Sequence, residues 1–196
     1  IINPTPILIL KPLAIVKGDS LDKIAYTIGY GGRTVDEFIG ILLYFNINKV
    51  IDVRRWNKSK RLQDFSGNTL REHLSKYGID YIWIPELGGY RKFGVDVEDR
   101  GIASCFESEG FRAYATYLTT RSDVKEILRI MVKHLMQSTG VIMCKERYPW
   151  MCHRKILSDY LVAVGFKVIH IISEDKFFEH RLHNCAIIKN GVLYYQ

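Results

Sequence analysis

The sequence predicts a single α/β domain: a mainly parallel sheet with helices on both faces and a β-hairpin at the carboxyl end. Three observations lead there. Short apolar runs alternate with helical apolar stripes along most of the chain, the order that builds strand–helix–strand crossovers. Runs such as Val141–Cys144 are continuously apolar, as suits strands covered on both faces. Asn190-Gly191, set between two short apolar runs near the end, is a strong hairpin signal. A chain of 196 residues is expected to bury one core, with residues 25–196 as the domain and 1–24 as an N-terminal extension.

Taken in order, the extension offers an edge strand at 7–10, stopped by Pro12. Residues 25–28 are the first core strand, followed by the Gly29–Arg33 turn. Thr34 and Glu37 form a capping box, and Phe38, Ile41, Leu42 and Phe45 give the next helix one apolar face. Residues 49–53 make a strand ending in Asp52-Val53-Arg54-Arg55. Thr69 and Glu72 read as a second capping box, opening a helix that Gly78 ends, and residues 81–84 are the third strand. The long loop 85–110 carries Glu86-Leu87-Gly88-Gly89; loops of that length inside a domain are uncommon and often functional. A short helix over 111–118 and a longer one over 124–135 follow. Then comes the strand ending at Cys144, a polar loop, a helix with Ile156, Leu157, Tyr160, Leu161 and Val164 on one stripe, and a strand over 166–172.

The formal charge is +7, from 28 basic and 21 acidic residues, which favours anionic partners, a small molecule or nucleic acid. The apolar stretch 6–16 is too short for a membrane span of about 20 residues. Four cysteines without disulfide-framework spacing, and no secretory signal, lead to the expectation of a cytoplasmic chain with reduced thiols, no membrane partner and no cofactor.

The polar residues collect at the carboxyl ends of the predicted strands, where open α/β sheets bind ligands. Cys152 precedes a helix whose free N–H groups, with Arg154 and Lys155, favour a thiolate; Cys144 closes its strand. Either is a candidate reactive thiol. Glu86 and Glu146 are the acid–base candidates because both lie in edge loops. Arg33, Asp52, Arg54, Gly88, Gly89, His153 and Arg154 form the expected substrate-binding set, with Asp52 read as an arginine partner rather than a base. Arg55, Trp56, Lys58, Lys60 and Arg61 put cations around an aromatic ring, the combination that grips phosphates and stacks on a base. No short Cys pair of structural-zinc spacing occurs, so no metal is expected, and His180 and His183 read as members of an exposed turn.

Ile28-Gly29-Tyr30, Thr34–Phe38, Val50–Arg54, Pro85–Gly89 and Cys144-x-Glu146-x5-Cys152-His153-Arg154, in that order, resemble domain-of-unknown-function family 488 over roughly residues 25–172. The resemblance implies a Rossmann-like α/β fold and no defined activity. The chain departs where the family usually has His-Ser and Tyr30-Gly31 stand here, so a proton transfer by that histidine is not available. The layout is also similar to rhodanese and cysteine-phosphatase domains, though residues 145–151 lack the glycines of an oxyanion cradle. The functional expectation is an enzyme acting on an anionic substrate, nucleotide or nucleic acid included, through Cys152 or Cys144; the alternative is a non-catalytic nucleic-acid-binding protein using the Arg54–Arg61 loop.

Overall fold

The computed structural model describes residues 23–196. The edge strand expected at 7–10 lies outside the described residues, and the first strand already starts at Lys23. The elements run β1 (Lys23–Gly29), α1 (Val35–Tyr44), β2 (Lys49–Asp52), α2 (Gly67–Ser75), β3 (Asp80–Trp83), α3 (Glu109–Thr120), α4 (Ser122–Met136), β4 (Gly140–Cys144), α5 (Arg154–Ala163), β5 (Phe166–Ile171), β6 (Phe177–Glu179), β7 (Ala186–Lys189) and β8 (Val192–Tyr195). β1 to β6 form one sheet in the order β3-β2-β4-β1-β5-β6, parallel except for β6. β7 and β8 make the expected C-terminal hairpin as a separate two-stranded sheet. The edge strand β6, Phe177-Phe178-Glu179, is only three residues long and exposed throughout.

Side chains alternate across the sheet, so β4 feeds two cores. Val141 and Met143 meet Phe38, Leu42, Leu70 and Leu74 of α1 and α2; Ile142 and Cys144 face Tyr114, Leu128 and Leu157 of α3, α4 and α5. β4 is buried along its whole length. Leu193 and Tyr195 bring β8 into the second core.

The capping box at Thr34 and Glu37 is formed. The one expected at Thr69 is not: α2 starts at Gly67 after Ser66, placing Thr69 inside the helix. The first residue of α2 is glycine where a Cβ would collide with Asn57. The long loop is held by Asp96, which receives both Arg55 and Arg91. Cys105 in that loop is joined to Cys185 by a disulfide, correcting the expectation of reduced thiols throughout. The partners stand 80 residues apart, so no local spacing announces the bridge. No helix among the described residues is long and apolar enough to cross a membrane.

Candidate active site

The sheet order makes neighbours of loops that are distant in sequence. β4 lies between β1 and β2, with Gly29 opposite Cys144 and Asp52 opposite Met143. The Tyr30, Asp52–Arg61 and Cys144–Arg154 segments therefore meet at one sheet edge. Gly29 permits this directly. A Cβ there would sit 1.8 Å from the Glu146 carbonyl oxygen, so only glycine lets the 145–148 backbone lie across the end of β1.

A cleft of about 710 Å³ opens at this edge, lined by Tyr30, Arg54–Trp56, Lys58–Leu62, Gly89, Tyr90, Cys144–Glu146 and His153, with Gly31 and Gly32. A smaller chamber of about 190 Å³ adjoins it, walled by Phe111, Tyr114, Met151 and Cys152. Gly89, Tyr90, Glu146 and His153 line both spaces. The sulfurs sit where the two meet, Cys144 toward the cleft and Cys152 toward the chamber.

His153 is oriented by β2. The Val53 carbonyl can only accept, so the Nε2 facing it at 3.2 Å carries the ring proton, and Nδ1 is left toward Cys152 Sγ (3.7 Å) and Cys144 Sγ (3.9 Å). A Cβ on Gly89 would come within 2.7 Å of that Nδ1, so Gly89 keeps the approach open. Arg154, 1% exposed, donates from Nε to Cys152 Sγ at 3.4 Å, from Nη1 to Thr27 Oγ1 at 3.2 Å, and from Nη2 to the Glu146 carbonyl. Cys144 Sγ donates to Glu146 Oε2 at 3.2 Å.

These contacts separate the two thiols. Burial opposes ionisation of Cys152, but the adjoining Cys144 thiol and the neighbouring His153 and Arg154 outweigh it and hold the thiol well below its ordinary range. The adjoining Cys152, then burial and the Glu146 charge, push Cys144 well above it. Tyr90 is pushed up first by the Glu146 carboxylate, which places its phenol beside that group.

Residues 34–161 match the family described as Domain of unknown function DUF488. The chain belongs to this family. No curated protein and no solved structure matches the chain. The DUF488 match runs from the cap of α1 into α5, so it contains β2, β4, both free cysteines, His153 and Arg154.

Several residues expected at the DUF488 site stand elsewhere. Arg33 lies outside the cleft: its Nη2 donates to the Ile172 carbonyl, and burial first, then Arg147, pushes it down to about 10. Glu86 is exposed and lines neither space; what the fold uses of it is its backbone carbonyl, which accepts from Arg91 and Tyr117. Arg154 meets the sulfur rather than the cleft. Asp52 is fully buried and accepts from Arg54 and Tyr81, so it anchors Arg54 instead of touching a ligand. Arg54 also donates to Tyr30, the residue standing at the departure from the family motif. Gly88 packs on the Arg55 backbone, where a Cβ would meet Arg55 N at 2.4 Å. His180, expected on an exposed turn, is buried against Asp159.

The remaining cleft residues lie where the loop reading put them. Trp56 is 63% exposed, Lys58, Lys60 and Arg61 are exposed beside it, and Arg55 is paired with Asp96. Tyr90, Thr27 and Tyr81 are neighbours of the candidate site that no motif singled out. Two groups bring metal-ligand atoms within 4.8 Å of one another: Cys144, Cys152 and His153, and Cys105, His183 and Cys185. The second is closed by the disulfide. In the first, Arg154 Nε already occupies one side of Cys152.

Proposed function

We propose that this DUF488 protein is an enzyme that attacks an anionic substrate with the Cys152 thiolate. The observation that carries the reading is the Arg154 guanidinium, buried and aimed through Nε at Cys152 Sγ. A guanidinium has donors only, and a buried one needs an anion or acceptors around it. A thiolate is that anion, and it is the nucleophilic form of cysteine. Support for an anionic substrate comes from the cleft. Lys58, Lys60, Arg61 and Lys145 line it without a carboxylate partner among the described residues, and Glu146 is its one lining carboxylate. The substrate's charge rests on these cations and on Arg54, while the reacting atom enters beside Cys152, with His153 Nδ1 able to take or return a proton.

The test is the pH profile of iodoacetamide labelling and of ultraviolet thiolate absorbance, with Cys152→Ser as control. Half-maximal signal is expected below the ordinary cysteine value of about 8.5. Signal that rises only above that pH, or that persists in Cys152→Ser, overturns the reading.

A further inference from the structure

Glu146 is the anomaly of the cleft. A carboxylate in the wall of an otherwise cationic cleft repels the anions the rest attracts, so its place calls for a purpose. That place is 3.2 Å from the Sγ of Cys144, whose S–H donates to it. Cys144 in turn lies with Cys152 and His153 in a group whose ligand atoms are within 4.8 Å of one another. A thiolate nucleophile thus has beside it a protonated thiol with a base of its own.

Resting on the reading of Cys152 as the nucleophile, we infer that Cys144 is a resolving thiol, that Glu146 is its base, and that the substrate is a disulfide carrying carboxylate groups. The Cys152 thiolate attacks one sulfur of R–S–S–R′. A Cys152 Sγ–S bond forms, the substrate S–S bond breaks, and R′–S⁻ leaves with the electron pair. Cys152 is now neutral, so the charge that opposed ionisation of Cys144 is gone, and Glu146 Oε2, already 3.2 Å from its Sγ, takes the proton. The Cys144 thiolate attacks Cys152 Sγ, the Cys144–Cys152 bond forms, and R–S⁻ leaves and is protonated. Two electrons pass from the dithiol to the substrate disulfide, and both sulfur arms depart as thiols.

The two spaces fit this sequence. Cys144 opens on the larger, cationic cleft and Cys152 on the small chamber, so the arms of a disulfide have separate places on either side of the sulfurs. A disulfide bond is about 2.0 Å long, so the pair must close by less than about 3 Å. Cys152 lies in extended backbone between a one-turn helix and α5, where a shift leaves both flanking elements intact. A base beside the second thiol matters because exchange proceeds through the thiolate.

The probe is bis(carboxynitrophenyl) disulfide, whose arms each carry a carboxylate and whose released thiolate is coloured. Wild-type protein is expected to release two thiolates per chain in two phases, the second independent of reagent concentration. It should end with no adduct and with Cys144 linked to Cys152 in a peptide mass map; the Cys105–Cys185 bridge is read separately in the same map. Cys144→Ser should release one thiolate and keep the adduct on Cys152. Glu146→Gln should slow the second phase relative to the first by about a hundredfold, the lower range for a general base. Failure of the first phase overturns the nucleophile and this inference together. A first phase followed by a stable adduct on wild-type Cys152, or an unchanged ratio of phases in Glu146→Gln, overturns this inference alone.

Discussion

His153 and His170 are both buried histidines on the same side of the sheet, and their partners differ in a way that separates the proposed reactive cluster from a closed one. His153 gives one nitrogen to a carbonyl and turns the other to two sulfurs at 3.7 and 3.9 Å, weak partners that leave it free to exchange a proton. His170 has both nitrogens taken at short range, by Thr27 Oγ1 at 2.7 Å and His180 Nδ1 at 2.9 Å. The polarity of this second chain follows from its end. Asp159 Oδ1 can only accept, so His180 Nε2 donates to it. His180 Nδ1 then accepts from His170 Nε2, His170 Nδ1 accepts from the Thr27 hydroxyl, and Thr27 accepts from Arg154. Tyr195 and the His183 amide complete Asp159. Arg154 joins the two clusters, donating to the sulfur in one and to the hydroxyl in the other. A buried polar network with every group satisfied stiffens a fold; one left with sulfur partners and an open cleft is available for chemistry.

Removing the joint should have the largest effect. Arg154→Leu leaves a buried thiolate and several acceptors without a donor, and breaking a buried charged pair in this way costs about 3–5 kcal/mol. Urea unfolding of Arg154→Leu against wild type measures it. A loss under about 1 kcal/mol would mean that the clusters do not depend on one another.

The closed cluster makes its own prediction. Burial, with His180 and Arg154 nearby, pushes His170 down to about 3. An unfolded histidine takes up its proton below about 6.5, whereas the folded one stays neutral until about 3, so stability falls as pH drops through that window. Each pH unit costs about 1.4 kcal/mol, or about 2 kcal/mol by pH 5 from this residue. His170→Gln should flatten the acid limb of a stability–pH curve by about that amount. An unchanged limb would place the acid sensitivity elsewhere and remove this contrast with His153.

The sequence discloses these two clusters unequally, for a physical reason. Cys144, Glu146, Cys152, His153 and Arg154 belong to one strand–loop–helix unit, so local pattern places them together. Thr27, His170, His180 and Asp159 come together only because β5 pairs with β1 and because β6 returns along β5. Strand order is a long-range property, and within β5 His170 looks like any inward residue of a buried strand. Arg33 and Glu86 were misplaced for the complementary reason. Each follows a strand as an edge residue should, but whether a side chain turns into the cleft is decided by long-range partners, such as the Ile172 carbonyl that takes Arg33. The strands were legible because continuous apolar runs report burial on both faces, whereas β6, with Phe177 and Phe178 followed by Glu179, is too short to show a period.

The smallest expected effect concerns the rim, and it tests whether the reactive cluster serves a small anion or a nucleic acid. Lys58, Lys60 and Arg61 are exposed, so Lys60→Ala with Arg61→Ala should change stability by no more than about 0.5 kcal/mol. Its consequence should be kinetic. A small carboxylate meets few of these cations at once, and exposed charges act through water, so the double change should slow the first phase with the carboxylate-bearing disulfide less than about tenfold. That slowing should fade as the screening length shrinks from about 10 Å at 0.1 M salt to about 3 Å at 1 M. A single-stranded nucleic acid would behave differently. Each phosphate neutralised contributes about 0.7 to the slope of log affinity against log salt, so losing two cations should flatten that slope by about one unit. Trp56→Ala would then cost about 1–3 kcal/mol of binding with the slope unchanged, because stacking releases no counterions. Oligonucleotide binding that is undetectable at low salt is the outcome expected here. Firm binding with those two signatures would instead make the cationic rim a nucleic-acid surface and leave the thiol cluster beneath it to act on that polymer.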